Sequence, residues 1–301
     1  KNKEGDSRIA DVMIYIVYTL FALLCALPFY YIIVQTISDN YLVSTGQVFL
    51  IPRGVHFRNI VSALKLDGML MAAMVSVART VVGTLFTLIG TTILGYAFSR
   101  REYWHRQFWY RFIILTMYFS TGLIPGFMNM KNLRLYDTFW LYVVPGTVSA
   151  YFMILYKTFV ESIPASLEES AQLDGAGYAV RYARIILPLS LPMIATICIF
   201  AAVGQWSAFS DTLYMVSDSR LYTLQFKLYQ FMNQAEQLAA SMRSAGGNIS
   251  SAAMQAELRN LMSSTSIRTS VCLIVTLPVL LIYPFFQRYF IKGIMIGAVK
   301  G

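Results

Sequence analysis

Six stretches of about 20 or more apolar residues run through this 301-residue chain, and a helix needs about 20 such residues to cross a hydrocarbon core of about 30 Å. They lie roughly at residues 9–37, 71–98, 108–127, 138–160, 191–211 and 267–290. Nothing constrains the fold more. In lipid every backbone N–H and C=O must find a partner within the protein, so runs of this length read as spanning helices. Composition agrees, since 13% charged residues is about half the share in ordinary soluble domains and leaves too little charge to cover a soluble body. The net charge of +9 fits either nucleic acid or an anionic membrane face, and the apolar runs decide for membrane lipid and against nucleic acid. The predicted fold class is therefore all-α, a polytopic membrane protein with six transmembrane helices.

The first run is too long for a signal-peptide core. Leu27-Pro28-Phe29 also continues into residues 30–34 without a small-residue cleavage site, so the run is expected to remain as a span. Lys and Arg are densest in the short connections on the side that holds the N-terminus, with Arg100, Arg101 and Arg106 beside Trp104 as the clearest anchor. By the positive-inside rule both termini are expected in the cytoplasm. The expected organisation is a cytoplasmic N-terminus (1–8), a six-span domain (9–290) with outer loops at 38–70 and 212–266 and an inner loop at 161–190, and a cytoplasmic tail (291–301). Residues 234–264, rich in Ala, Gln, Ser and Met and broken at Gly246-Gly247-Asn248, are expected to form two short amphipathic helices.

Catalytic and cofactor signatures are missing. No Walker A sequence, H-E-x-x-H, G-x-S-x-G or C-x-x-C occurs. His56 and His105 both lie in loops, and Cys25, Cys198 and Cys272 lie far apart inside apolar runs, where they read as packing residues. Neither a metal site nor a catalytic residue is expected. A membrane-embedded enzyme would need paired carboxylates, or His-Asp or Ser-Lys pairs, at one depth, and no convincing set is present.

The informative stretch is the connection at 161–192, ESIPASLEESAQLDGAGYAVRYARIILPLSLP. Pro164 stops one helix, Ser166 with Glu169 forms a capping box for the next, and Gly175 and Gly177 end it. A second helical stretch over 178–187 is closed by Pro188 and Pro192. The expected product is a slim helix, a glycine turn and a second helix between two spans, suited to insertion into another protein's cleft.

Glu168-Glu169-Ser170-Ala171, then Asp174-Gly175-Ala176, then Ile186-Leu187-Pro188-Leu189 and Pro192 resemble the "EAA" loop of inner-membrane permease subunits of ATP-binding-cassette importers. Ser170 stands where that loop usually carries Ala, a small-for-small departure. Residues 284–290 (PFFQRYF), with Lys292-Gly293 and the final GAVKG, resemble the tail of the maltose-type carbohydrate permease. The Ala/Gln/Met-rich outer insertion is closest to importers of complex oligo- and polysaccharides, the lipoprotein/aldouronate/alginate group. The resemblance implies a type I importer permease fold and a saccharide substrate, with an acidic, alginate-like polymer as a candidate. The implied partners are a second, distinct permease chain, an ABC ATPase dimer that binds ATP and Mg, and an extracytoplasmic solute-binding protein. It also implies that Glu168, Glu169, Ser170, Ala171, Asp174, Gly175 and Ala176 belong to a coupling helix docked in the ATPase.

Intramembrane polar groups usually avoid lipid, so Gln205, Trp206 and Asp211 are candidates either to face a substrate pathway or to serve helix packing. Tyr118, Asn129 and Tyr151 are further pathway candidates. Arg79, with Lys131, is available to an anionic sugar or to snorkelling or pairing within the bundle. Gly122 and Gly126 fit G-x-x-x-G, with Pro125 between them making a kink an equal alternative. A self-contained secondary transporter or channel is the competing reading. It would want ionisable coupling groups near mid-membrane, and the spans hold almost none beyond Arg79 and Asp211.

Overall fold

The computed structural model describes residues 3–119, 121–244 and 267–282, and every regular element among them is helical. The chain divides into two compact units, one built from the chain up to Asp67 together with Leu228–Leu277, the other centred on Gly68–Lys227.

In the first unit, α1 (Lys3–Ile37) is a 35-residue helix whose apolar window is unburied within this chain. It ends at a small hydrophobic cluster of Val34, Val43 and Val48. There α2 (Asn40–Ser44) starts because the Asp39 carboxylate accepts the N–H of Tyr41 at 2.9 Å, an N-cap of the usual kind. Asn59 on α3 (Arg58–Leu64) ties this corner together by donating to the Thr36 carbonyl and to Asn40 Oδ1.

In the second unit, α4 (Met69–Ser99) is the axis, followed by α5 (Arg106–Thr116), α6 (Leu123–Asn132), α7 (Ala150–Glu161), α8 (Ala165–Leu173) and α9 (Tyr178–Arg181). A π-helical turn (Tyr182–Ile186), α10 (Leu187–Leu189), α11 (Leu191–Ser207) and α12 (Ser210–Met215) come next. One face of α4 packs against α7 and α11. Small residues set that approach. A Cβ on Gly90 would lie 2.4 Å from the Thr147 carbonyl oxygen, and one on Gly95 would lie 2.8 Å from the Tyr156 ring. In lipid, where apolar surface has no solvent to escape, close packing of this kind and buried hydrogen bonds hold helices together. Tyr96, Tyr156, Val160, Ile186 and Ile197 form the core cluster here, and the Tyr156 hydroxyl meets Ser190 Oγ at 2.8 Å.

Among the described residues two helices, α1 and α4, are long and apolar enough to cross a membrane, and the bent pair Tyr178–Leu189 and Leu191–Ser207 adds a third when taken as one span. Three of the six predicted runs differ from single straight helices for identifiable reasons. The run at 108–127 breaks between α5 and α6, where Gly122 takes φ +78° just ahead of Pro125. The run at 138–160 contains a 3-10 turn (Phe139–Tyr142), then Pro145-Gly146, before Ser149 caps α7. The run at 191–211 follows a 79° bend and ends at Ser207, with α12 beginning at Ser210. Of the last, Ile267–Ile282 (α14) is helical.

The amphipathic region also departs from expectation. α13 (Leu224–Ser244) is one helix of 21 residues that begins ten positions before 234, and the Gly246-Gly247-Asn248 break lies outside the described residues, as do residues 284–301.

Candidate functional site

Two polar assemblies stand out in the second unit, one near each end of α4. The first surrounds Arg79, whose side chain is 4% exposed. Its Nε donates to Gln205 Oε1 (3.0 Å), Nη1 to the Ala208 carbonyl and Asp211 Oδ1 (both 3.1 Å), and Nη2 to Asp211 Oδ2 (2.5 Å). The guanidinium also lies over the Tyr142 ring, 4.5 Å from its centre. This is a two-pronged arginine–carboxylate pair with a cation–π floor, the geometry in which an arginine outperforms a lysine. The break between α11 and α12 makes it possible, because Ala208 leaves the helix and its carbonyl turns to Arg79. Tyr142 is fixed in turn, donating to the Leu221 carbonyl at 2.7 Å.

Beside this network lies a cavity of about 560 Å³, open on one side, walled by Arg79, Gln205, Asp211, Tyr142 and Gly146 among others. The structure thus brings together three of the predicted pathway residues. Trp206 is partly buried next to Gln205 and is not a wall of this cavity. Tyr118, Asn129 and Tyr151 are exposed and do not line it, although Met130 and Phe152, their immediate neighbours in sequence, do. Lys131 is also exposed. Tyr142 and the Ala208 carbonyl are the participants that sequence reasoning missed, and a tyrosine in an aromatic-rich run carried no signal for the first.

The second assembly is the helix–turn segment. The Ser166 capping box does not form. α8 starts two residues earlier, with Pro164 as N-cap and no side-chain cap bond, because the proline's fixed φ presets the first turn and draws Ser166 inside the helix. The far end follows expectation closely. Gly175 sits at φ +81°, its N–H bonds the Gln172 carbonyl, and the Ala176 N–H bonds the Ala171 carbonyl, the paired bonds of a Schellman turn.

The two glutamates separate. Glu168 is 5% exposed and forms an ion pair with Arg100, which stacks on Tyr96 with its guanidinium 4.8 Å from the ring centre. Burial holds the Arg100 guanidinium below its usual pKa, with the Tyr96 hydroxyl working the other way. Glu169, Ser170 and Asp174 point to solvent, Ala171 and Ala176 are half-buried, and Leu173 is 90% exposed. Arg181 donates to Gln172 from below and packs on Tyr178. The result is a short helix rooted to the end of α4 by one buried carboxylate, with an outward face of one acid and one bare leucine. Sequence reasoning missed Arg100 as the root, although its place at the end of a span was visible.

Residues 89–296 match the family described as "Binding-protein-dependent transport system inner membrane component". The chain belongs to that family. Among its relatives is the "Polygalacturonan/rhamnogalacturonan transport system permease protein YtcP" of Bacillus subtilis, 34% identical over 98% of this chain and 99% of the relative. "Protein LplC" of the same organism is 33% identical over 91% of this chain and 89% of its own length. Among solved structures, a chain of a bacterial ABC transporter involved in the import of the acidic polysaccharide alginate superposes with a TM-score of 0.80 at 27% identity, over 95% of this chain and 98% of that one. This chain is accordingly a multi-pass inner-membrane permease subunit, non-catalytic, that works with a separate ATPase and a binding protein. In this chain the α8 face is exposed and the Arg79 network borders the cavity described above.

Proposed function

We propose that this permease is one of two distinct membrane chains of an importer for acidic oligo- or polysaccharides of the uronate type. The observation that carries the reading is full-length similarity to a polygalacturonan/rhamnogalacturonan permease, supported by the likeness to an alginate importer chain. Six spans with both termini in the cytoplasm fit the six apolar runs and the density of Lys and Arg. α8 is the coupling helix. Glu169 and Leu173 contact the ATPase, which binds ATP and Mg, while Glu168 anchors the helix to its own chain. Closure of the ATPase dimer then moves α8 as a rigid element and switches the cavity between inward- and outward-facing forms.

Gln205, Asp211 and the neighbouring Trp206 contribute polar and aromatic surface to the sugar path, with Tyr118, Asn129 and Tyr151 as exposed contacts beyond the cavity described above. Arg79 has a different part. Its charge is already matched by Asp211, and most of its donors are engaged, so it shapes the wall and is not a free receptor for a uronate carboxylate.

The test is native mass spectrometry of the complex expressed with its neighbouring genes, comparing wild type with Glu169→Lys plus Gly175→Val, followed by ATPase assays with binding protein and sugar. Two permease chains with two ATPase chains, weakened by the double change, and ATP hydrolysis stimulated by oligogalacturonate or oligoalginate above maltodextrin, are expected. A chain that runs alone and transports unaided would make it a self-contained transporter. Equal stimulation by neutral sugars would remove the acidic substrate.

A further inference from the structure

A cavity of about 1090 Å³ in the second unit belongs to neither assembly. It lies along α5, and its walls include Arg101, Arg106, Arg111 and Lys157 but no carboxylate. Glu161, on the wall of the neighbouring basin, offsets part of this charge, accepting from Arg106 Nη2 at 2.5 Å and from Lys157 Nζ at 2.7 Å. Lys157 is held in place from the other side by the Tyr110 ring, 4.6 Å from Nζ. One carboxylate therefore serves two cations, while Arg101 and Arg111 are exposed and make no hydrogen bond or ion pair among the described residues.

The other wall is apolar. Phe108, Phe112 and Leu115 recur at i, i+4 and i+7 on α5, each at least half exposed, and no residue of α5 is buried in this chain. Trp104, 70% exposed just ahead of α5, has the position of a residue at the headgroup level. A groove lined both by surplus cations and by an exposed apolar track has the polarity of one class of molecule, an amphiphile with an anionic head. Basic pockets at the edge of spanning helices bind anionic lipid headgroups on this principle. A free phosphate would satisfy the cations and leave the apolar track bare.

We infer that the α5 groove is a binding site for one anionic phospholipid, its phosphate between Arg101, Arg106 and Arg111 and an acyl chain along Phe112 and Leu115. Lys157 and Glu161 hold Arg106 in position. The inference does not depend on the sugar or on the role of α8.

The test titrates the delipidated, intact permease–ATPase complex with dioleoyl-phosphatidylglycerol and, separately, dioleoyl-phosphatidylcholine, counting bound lipid by native mass spectrometry. A cation near an anionic lipid contributes roughly fivefold in affinity, so Arg101→Gln with Arg111→Gln is expected to weaken phosphatidylglycerol binding by roughly thirtyfold. Phosphatidylcholine binding should not change, and Arg101→Lys with Arg111→Lys should retain most of the phosphatidylglycerol, which separates loss of charge from loss of fold. Equal phosphatidylglycerol occupancy in wild type and the glutamine variant would overturn the inference, as would equal affinity for the two lipids. Displacement of the lipid by millimolar inorganic phosphate would show a simple anion site instead. Loss of the ATPase from the glutamine variant with lipid occupancy unchanged would show that the arginines hold a protein partner.

Discussion

Removing either member of the Arg79–Asp211 pair should not cost the same, and the asymmetry follows from burial. Arg79 is 4% exposed and Asp211 26% exposed. Asp211→Asn leaves the Arg79 guanidinium buried without its counter-charge. Breaking a buried pair in this way costs about 3–5 kcal/mol, and the carboxamide oxygen, which still accepts one bond, places this case near 3. Arg79→Met leaves a carboxylate at the rim of an open cavity, where water reaches it and where the Thr212 N–H still donates to it at 2.8 Å. Gln205 and the Ala208 carbonyl lose a donor but also border that cavity, and methionine replaces much of the lost stem, so the cost is about 1–2 kcal/mol. At roughly 2–4 °C per kcal/mol for a body of this size, Asp211→Asn should lower the Tm of the purified complex by about 6–12 °C and Arg79→Met by about 2–8 °C. The double variant should be more stable than Asp211→Asn alone, because it removes the orphaned charge. Thermal unfolding in one detergent at one scan rate reads all four proteins. A larger loss for Arg79→Met, or a double variant equal to the sum of the singles, would refute the reasoning.

Three further outcomes follow from local geometry. Gly175→Val places a branched side chain at φ +81°, at a strain of roughly 1–2 kcal/mol. Since nothing lies within 4 Å of the new Cβ, no clash adds to that strain, and the Tm of the permease alone should fall by about 2–8 °C while ATPase co-purification weakens further. Gly90→Val drives a Cβ to 2.4 Å from the Thr147 carbonyl and should destabilise the α4–α7 side of the unit by about 1–3 kcal/mol, visible as reduced yield and a lower Tm. The Asp218 carboxylate is held below its ordinary value of 3.8, chiefly by hydrogen bonds from the Arg220 side chain and backbone. A depressed folded-state pKa means that the turn at Ser219–Leu221 is fully supported above 3.8 and loses support as pH falls below it. Hydrogen exchange at the Arg220 amide should therefore accelerate, relative to its intrinsic rate, only below about pH 4, and Asp218→Asn should abolish that step.

Which features were legible in the sequence depended on how local their causes are. Asp174-Gly175-Ala176 announces a helix end because only a left-handed residue closes a Schellman turn cheaply, and the turn is there. The capping box at Ser166 failed, and the helix is capped two residues earlier at Pro164. Proline at 164 also starts a helix, and the two signals compete for the same turn. Which glutamate faces inward depends on how α8 is oriented toward Arg100, 68 positions earlier, a relation no local pattern contains. Long apolar runs overstated helix length at 108–127 and 138–160, although Gly122, Pro125 and Pro145-Gly146 were visible as interruptions. Arg79 and Asp211 each looked out of place in or beside a span, yet only the break after Ser207 brings them together across 132 positions.

The two arginine–carboxylate pairs share one helix, and this bears on how motion at α8 reaches the cavity. Arg79 and Arg100 are about 31 Å apart along α4 at 1.5 Å per residue, and between them Gly90 and Gly95 lock the helix against Thr147 and Tyr156. If α8 moves with the ATPase as proposed, it pulls first on Arg100, the end of a rod packed closely at Gly90 and Gly95, and the other end of that rod carries the cavity wall. The pair at the α8 end should therefore affect coupling more than assembly. Arg100→Glu sets two carboxylates against each other and should lower sugar transported per ATP hydrolysed severalfold, while the contact proposed for Glu169 is left untouched. Adding Glu168→Arg restores opposite charges in reversed order and should recover a substantial part of the ratio. Transport and ATPase rates measured together in proteoliposomes give the answer, with native mass spectrometry confirming the subunit count. If Arg100→Glu leaves the ratio unchanged, α8 acts on the bundle by a route other than α4. If the reversed pair fails where subunit assembly is intact, the orientation of the pair matters beyond its charge and the rod picture must include the stacking of Arg100 on Tyr96.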